Sequence, residues 1–322
     1  MKLSIIILNW NTGDLLRKCL DALPAACSSV SKLTTHPTSL KLRGIRNSQL
    51  EYEVFVVDNA SVDDSFIQAR NSIQPFREIA LPQNMGFAHA NNVALREAKG
   101  EILLLLNPDT EPRPGSMRAL VDFFSSHPRA GIVGGKLFYP DGRLQRSVRA
   151  FPSPAVLALL LTRLAHFFPK LSAYRQYDMA DFSYTHDAPV DQVMGACFAI
   201  RRDALKAIGV LDEGYWIWFE EVDYCRRAKQ AGWETWFTRA AEIVHHHATS
   251  FAQVSPLWRA WQFSRSALRY AWKYEGPVTA FLLALAVPVS LGTALLATMT
   301  QAPPSARSHA PQWVRGKART IR

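Results

Sequence analysis

The sequence predicts an α/β protein with a doubly wound, mainly parallel sheet and flanking helices, and three observations support this fold class. Residues 2–8 form a continuous β-branched apolar run, which is typical of a strand buried on both faces. Apolar strands and amphipathic helices then alternate along the chain. Of the 322 residues, 48% are apolar and 20% are charged, which is enough to bury a large core.

The predicted strands and helices broadly alternate in the first part of the chain. After the strand at 2–8 we expect strands at 53–57 and 101–106, and helices at 12–23, 63–70, 86–99 and 114–127. The second half departs from this order, with a turn at 138–142, an apolar helix at 151–171 too short to span a membrane, a strand at 192–201, a helix at 219–231 and a strand at 242–246. In such sheets ligands bind beyond the carboxyl ends of the strands, so we expect the chemistry at the residues that follow each strand.

The positive charge is concentrated at the C-terminal end. Residues 251–322 contain nine basic residues and one acid, which accounts for +8 of the formal net charge of +10. Residues 277–300 carry no charge and are long enough for the ~20 residues that a spanning helix needs. Basic residues beside such a segment favour an anionic membrane over nucleic acid. Pro288 and Gly292 leave a kinked span, a re-entrant hairpin and an in-plane segment open.

The chain is predicted to have four parts. A catalytic domain at 1–250, with a basic insertion at 28–50, is followed by an interfacial helix at 251–276 rich in Trp and Tyr. An ordinary globular helix with inward-facing aromatics is the alternative for that helix. An apolar membrane segment at 277–300 and a basic, disordered tail at 301–322 complete the chain. Four cysteines without a Cys-x-x-Cys pair, and no secretory signal, indicate reduced thiols in a cytosolic compartment.

Polar residues follow the predicted strands. Asp109 follows a strand and a proline, where its carboxylate could bridge Mg²⁺ or Mn²⁺ to a diphosphate, although an Asn-Pro-Asp turn is also possible. Asp58 could cap a helix or contact a nucleobase. The sequence has neither a Gly-x-Gly-x-x-Gly after its first strand nor a P-loop, which argues against dinucleotide oxidoreductases and P-loop NTPases.

Three carboxylates, Glu220, Glu221 and Asp223, crowd the first turn of one predicted helix. They could simply favour the helix dipole, but their mutual repulsion indicates a nearby cation or a general base. Trp216 and Trp218 precede them and offer aromatic faces to a sugar or a lipid, with core packing as the alternative.

A histidine tract closes the last predicted strand. In an alternating strand His245 and His247 share one face and His246 lies on the other. One imidazole could therefore complete an Asp-based metal site, or the tract could be ordinary polar surface.

Together these stretches resemble family 2 glycosyltransferases with the GT-A fold, and in particular their rhamnosyltransferase-like branch. The resemblance rests on SIIILNWNTGDLLRKCLDAL at 4–23, VFVVDNASVDDS at 54–65, NMGFAHANNVALREAKGEILLLLNPDTEPRPG at 84–115, VMGACFAIRRDALKAIGVLDEGYWIWFEEVDYCRRAKQAGW at 193–233 and IVHHH at 243–247. These stretches follow one another in the order of the family.

The resemblance implies a donor site and a metal site. It implies that Asp58 contacts the nucleobase and that the other donor-side residues are Asn9, Asn11, Asn84, Gly86 and Asn91. Asp109 takes the last place of the family's Asp-x-Asp metal motif, whose first place is here Asn107. His245 best matches the histidine of the metal shell, with His246 one position away.

The resemblance also implies the reaction. Glu221 matches the catalytic base, with Glu220 and Asp223 as alternatives, and Trp216 and Trp218 lie on the acceptor side. The implied enzyme is inverting, depends on a divalent cation (Mg²⁺ or Mn²⁺), and moves rhamnose from dTDP-rhamnose to a hydroxyl of a lipid-linked or cell-surface glycan. Its expected place is the cytoplasmic face of the cell membrane, peripheral or with a single anchor, and we expect no nucleic-acid partner.

Two other classes of function stay open. A metal-dependent nucleotidyltransferase would share the sheet and the Asp metal site but would not need an acid cluster beside an aromatic wall. A catalytically silent, membrane-associated glycan-binding module would bind nucleotide sugars without turnover.

Overall fold

We describe residues 1–28, 50–246 and 253–300 in a computed structural model of the protein. The predicted basic insertion lies outside the described residues except at its two ends, and the predicted C-terminal tail lies wholly outside them. His247 is also outside them.

Ten strands of the described chain form one mixed sheet, and two more form a small separate ribbon. The sheet strands are β1 (Leu3–Asn9), β2 (Tyr52–Asp58), β3 (Arg77–Ala80), β4 (Ile102–Leu106), β5 (Thr110–Pro112), β6 (Ala130–Phe138), β7 (Leu144–Gln145), β9 (Ala188–Val190), β11 (Cys197–Arg201) and β12 (Glu234–His245). The ribbon pairs β8 (Val148–Arg149) with β10 (Gln192–Val193).

The main strand order is β3-β2-β1-β4-β11-β6-β12-β5. Strands β1 to β4 are parallel neighbours, and β6 is parallel to β12. Strand β11 lies antiparallel between β4 and β6. This arrangement confirms the predicted α/β class with its mainly parallel sheet.

Helices cover the sheet on both faces and continue beyond it. They are α1 (Leu15–Ala26), α2 (Ser65–Ala69), α3 (Phe87–Glu97), α4 (Ser116–Ser126), α5 (Pro154–Leu161), α6 (Leu164–Phe167), α7 (Ser172–Tyr177), α8 (Arg202–Ile208), α9 (Glu220–Gln230), α10 (Pro256–Glu275), α11 (Pro277–Ala284) and α12 (Val287–Thr300).

The first strand shows why its sequence lacks alternation. Leu3, Ile5 and Ile7 enter the core under α1 and α4, whereas Ile6 and Leu8 enter the core under α3 and α9. Each fully buried aliphatic side chain contributes about 1.5–3 kcal/mol relative to an exposed one. Because both faces are covered, apolar side chains are favoured at successive positions of this strand, and Ser4 and Asn9 are its two buried polar residues.

One predicted helix differs from the structure. The segment 151–171 does not form one helix, because Arg163 adopts a left-handed conformation (φ +60°) that separates α5 from α6. The apolar part of this region is therefore presented by two short helices.

The C-terminal helices pack against the loop before α9 and against α5. The buried side of α10 includes Ala267 and Tyr270, which join Tyr215 and Phe219 in a third apolar cluster. Its Trp272 is 64% exposed, so one face of this helix is covered by the protein and the other is open.

After Gly276 the chain continues into the apolar segment. The stretch Pro277–Thr298 has a mean hydropathy of 2.2 and meets the length and composition required to cross a membrane. The turn at 285–286 divides it into α11 and α12, which pack against α10 and α5.

Candidate active site

A cleft of about 560 Å³ opens at the carboxyl ends of β1 and β4, in the size range of ligand pockets. Its other walls come from α9, from the end of β12 and from the start of α10. The predicted site residues that line it are Asn84, Gly86, Asn107, Asp109, Trp216, Trp218, Glu220, Glu221 and His245. The expected location of the chemistry and the observed cleft therefore coincide.

Asp109 and His245 meet inside this cleft. The Nε2 atom of His245 lies 3.4 Å from Oδ1 of Asp109, and both side chains are buried. The Nδ1 atom of His245 lies 2.9 Å from Oε1 of Gln145, an acceptor that holds the proton on Nδ1 and turns Nε2 toward the carboxylate. His246 instead pairs with Glu111 at 2.7 Å and is absent from the cleft lining.

This pair fits a divalent cation. A carboxylate oxygen and an oriented imidazole are suitable ligands for Mn²⁺ or Mg²⁺. Within the described residues no group of three or more His, Cys, Asp or Glu side chains could hold a metal. The protein would supply two ligands, which suits a cation that keeps its other positions for water and substrate phosphate.

The three carboxylates of α9 separate into two environments. Asp223 is fully buried and does not line the cleft. Its carboxylate accepts hydrogen bonds from Arg227 (2.8 Å), Lys273 (2.6 Å) and Tyr274 (2.8 Å). Because Lys273 and Tyr274 belong to α10, these bonds join α9 to α10. Glu220 and Glu221 line the cleft instead.

Burial shapes the electrostatics of these two glutamates. The Oε2 atoms of Glu220 and Glu221 are buried and have no hydrogen-bond partner among the described residues. Burial raises the pKa of Glu220 well above its usual value, and the neighbouring charge of Glu221 raises it further. Burial also raises the pKa of Glu221. A raised pKa brings a carboxylate closer to the basicity that a general base needs near neutral pH.

The backbone before α9 is strained. Trp218 and Phe219 adopt left-handed conformations with φ of +64° and +70°. Such conformations cost about 1–3 kcal/mol each and persist where the surroundings enforce them. Here the ring centroid of Phe219 lies 5.5 Å from the ring centroids of Phe263 and Tyr270. This packing holds the turn that directs the two glutamates into the cleft.

Asn9, Asn11 and Asp58 are not among the residues that line the cleft, although their neighbours Leu8, Trp10 and Asn59 are. Asn9 Nδ2 donates to Asp58 Oδ1 at 2.9 Å, and Asn11 Oδ1 accepts from the backbone N–H of Val62 at 2.7 Å. These bonds fix the two loops after β1 and β2.

The 84–92 segment is divided in the same way. Asn84 Oδ1 accepts from the backbone N–H of Gly86 at 2.9 Å, and both residues reach the cleft. Asn91 Nδ2 donates to the carbonyl of Phe87 one turn earlier in α3, and it lies outside the cleft lining.

Several lining residues carry no individual role in the prediction. Trp10 and Asn59 follow the first two strands and line the cleft, at the strand ends where ligand contacts are expected. Asn59 also accepts from the backbone N–H of Met85 at 2.8 Å and so supports the turn after β3. Val254 lies just before α10 and Trp258 lies in its first turn, and no local pattern predicts their contact with the cleft.

Several known proteins that are similar to this chain are glycosyltransferases. The chain matches the family model described as Glycosyl transferase family 2 over residues 4–209. It is 32% identical over 211 residues to an N-acetylglucosaminyl-diphospho-decaprenol L-rhamnosyltransferase of Mycobacterium tuberculosis, which covers 61% of this chain and 67% of that protein. It is 26% identical over 175 residues to Rhamnosyltransferase WbbL of Escherichia coli, with 50% of this chain and 62% of that protein covered.

The fold is also similar to that of solved structures. A mannosyltransferase from Pyrobaculum calidifontis, in complex with GDP-Man and Mn²⁺, superposes with a TM-score of 0.52 at 17% identity. The similarity covers 94% of this chain and 76% of that one. The two proteins therefore share the arrangement of the sheet and helices.

Proposed function

The chain belongs to glycosyl transferase family 2, and we propose that within this family it transfers rhamnose from dTDP-rhamnose to a hydroxyl of a lipid-linked glycan, with inversion at the anomeric carbon. The observation that carries this proposal is the meeting of Asp109, His245 and Glu221 in one cleft. The two rhamnosyltransferase relatives support the choice of sugar, and the acceptor named for the Mycobacterium tuberculosis relative supports the choice of acceptor.

The residues of the chain divide the reaction between them. Glu221 accepts the proton of the acceptor hydroxyl while the acceptor oxygen forms its bond to the anomeric carbon and the bond to the diphosphate breaks. The loops fixed by Asn9 and Asp58 hold the nucleotide end of the donor, and Trp216 presents its indole to the sugar. A divalent cation held by Asp109 and His245 would supply positive charge to the departing diphosphate.

The donor is identified by thermal shift. We expect dTDP-rhamnose to raise the melting temperature in the presence of Mn²⁺ and not in EDTA, because a ligand that binds only the native state stabilises it. UDP-GlcNAc, GDP-mannose and free dTDP are the comparison ligands. A metal-dependent shift with another nucleotide sugar would replace rhamnose, and binding without turnover would favour the glycan-binding module. Release of pyrophosphate from added dTTP and rhamnose 1-phosphate would favour the nucleotidyltransferase.

The base is identified by matched amide variants. Glu221→Gln keeps the shape of the side chain but cannot accept the proton, so we expect kcat to fall by about 10²–10⁴-fold while donor binding persists. Glu220→Gln is the control, because it removes the neighbouring acid from the same turn. Full transfer by the Glu221 variant together with loss in the Glu220 variant would move the base to Glu220.

We also propose a membrane-facing surface on the helical side of the protein. Most of the large apolar side chains exposed in the described chain lie at 164–171 and 257–296, and they include Phe167, Phe168, Phe281, Leu285 and Leu296. Helix α5 packs against α11 and α12 and leads directly into α6, so the two groups are neighbours. Arg163 and Lys170 add positive charge beside this surface, which favours anionic lipid at the cytoplasmic face.

Vesicle flotation tests this surface. We expect the protein to float with vesicles that contain phosphatidylglycerol, and the double variant Phe167→Ser with Phe281→Ser to float less. Ile73→Ser is the control, because Ile73 is similarly exposed but lies outside the surface. Equal flotation of both variants would place the membrane contact elsewhere.

A further inference from the structure

A second, smaller cavity of about 150 Å³ adjoins the cleft. We propose that it is the acceptor subsite and that Arg149 binds there the phosphate of a phosphate-linked saccharide acceptor. The inference rests on the proposed function and deepens it.

Glu221 lies at the boundary between the two cavities. It lines both of them, together with Met194 and Trp218. Asp109 and His245 line only the larger cleft, and Arg149 and Tyr177 line only the smaller cavity. In a single displacement the acceptor oxygen approaches opposite the leaving group, so the base must reach a space on the far side from the diphosphate. The smaller cavity is such a space.

Arg149 has the chemistry to bind a phosphate there. Its Nε atom lies 3.2 Å from Oδ1 of Asp178, and its Nη1 atom donates to the carbonyl of Val148 at 2.8 Å. Arg146 pairs with the same Asp178 carboxylate, so two guanidinium groups share one negative charge. The side chain of Arg149 is 29% exposed and can be reached from outside. A guanidinium with remaining positive potential is a favoured partner for phosphate oxygens.

The other walls suit a sugar attached to a lipid. Tyr177, Trp218 and Phe263 contribute aromatic side chains to the cavity. The pKa of Tyr177 is raised to about 12, mainly by burial. The positive charge of Arg149 lowers this pKa and the negative charge of Glu221 raises it, so both groups lie close enough to act on the same hydroxyl. Phe263 belongs to α10 and packs on the apolar cluster that includes Leu157 of α5.

The positions of Glu221, Arg149 and the apolar helices define the orientation of the acceptor. A cavity below the usual 300 Å³ of ligand pockets admits only the reacting end of an acceptor. The sugar would lie against Glu221, the phosphate at Arg149, and the lipid along the helices that carry the exposed apolar surface.

Arg149→Gln and Arg146→Gln form the matched pair for the test. Both variants remove an arginine that pairs with Asp178, but only Arg149 lines the cavity. The acceptor probe is N-acetylglucosaminyl-diphosphate on a short polyprenol, and octyl N-acetylglucosaminide serves as the phosphate-free probe. The measured quantities are the KM of each acceptor, the KM of dTDP-rhamnose and the slow hydrolysis of the donor without acceptor.

We expect Arg149→Gln to raise the KM of the diphosphate acceptor by about tenfold or more, the effect of losing one charge-assisted hydrogen bond. The KM of the donor, the hydrolysis of the donor and the KM of the octyl glycoside should stay within about twofold of wild type, and Arg149→Lys should recover part of the loss. Arg146→Gln should leave all of them unchanged.

Two results would overturn the inference. Equal effects of the two arginine variants would assign Arg149 a structural role beside Asp178, and an unchanged KM for the diphosphate acceptor would remove its contact with phosphate. The hydrolysis of the donor distinguishes failure of the role of Arg149 from failure of the proposed function. A wild-type protein that neither hydrolyses dTDP-rhamnose nor transfers its sugar would reject the function itself.

Discussion

The variant Gly86→Ala tests how closely the turn after β3 is fitted to the wall of the cleft. Gly86 has φ +79° and ψ 175°, a region that is essentially restricted to glycine. A Cβ atom there would lie 2.7 Å from the carbonyl oxygen of Trp216 and 2.9 Å from its ring atom Cδ2. The same carbonyl accepts from the N–H of Phe87 at 2.7 Å, so it cannot move away without losing that bond.

The magnitude follows from these two effects. The backbone conformation costs an alanine about 1–3 kcal/mol, and overpacking costs about 1–3 kcal/mol more. The reduced entropy of the unfolded alanine chain offsets about 0.4–1 kcal/mol. We therefore expect the free energy of unfolding to fall by about 1–5.6 kcal/mol, with weaker donor binding because Trp216 is displaced.

Urea unfolding measures this change as a lower midpoint at a constant m-value. Gly142→Ala is the matched control, because Gly142 has φ +83° but no atom within 4 Å of its Cβ position. Its cost should be the backbone effect alone. If the two variants lost the same free energy of unfolding, the contact between Gly86 and Trp216 would not determine the structure of this loop.

Three further predictions concern the cleft. Since burial raises the pKa of Glu221 above 4.5, the glutamate is protonated and inactive at low pH, so kcat should rise with pH through a value above 4.5; a limb at or below 4.5 would contradict the assignment. Asp223→Asn should lower the free energy of unfolding by about 3 kcal/mol in urea while the folded enzyme keeps its kcat, whereas a kcat loss of about 10²–10⁴-fold would make Asp223 the base. Gln145→Ala should weaken the affinity for Mn²⁺ by about 10–100-fold, measured as the Mn²⁺ concentration that gives half of the thermal shift with donor present. Gln74→Ala, which changes a buried glutamine away from the cleft, should leave that concentration unchanged.

The fold could be predicted wherever a pattern is local. The apolar run of β1 and the alternation of strands and helices predicted the parallel half of the sheet, and the rule that ligands bind at strand ends located Asp109 and Asn107 on the cleft. Strand β6 was missed because three glycines interrupt its apolar pattern. These glycines serve close packing, since a Cβ at Gly134 would lie 2.5 Å from Val193.

The site was harder to predict where its geometry depends on distant contacts. The residue types of Asn9 and Asp58 suggested polar chemistry, but only the folded loops show that the two side chains bind each other. The three acids of α9 look equivalent in the sequence, and they are distinguished by Lys273, fifty residues away along the chain. Gln145 has no local signal at all, because its role is defined by the position of His245.

The hydrogen bond from Gln253 Nε2 to the carbonyl of Asn11, at 2.6 Å, joins the start of the helical region to the loop after the first strand. With Val254 and Trp258 in the cleft wall and Phe263 in the smaller cavity, the same stretch of chain that leads to the apolar helices completes the reaction chamber. A soluble fragment that ends before residue 253 would keep the sheet but leave the chamber open to water on one side. The natural place to shorten the protein for solution studies is therefore Gly276, after α10. Under the proposed function, attachment to the lipid and enclosure of the sugar would both depend on one continuous piece of polypeptide.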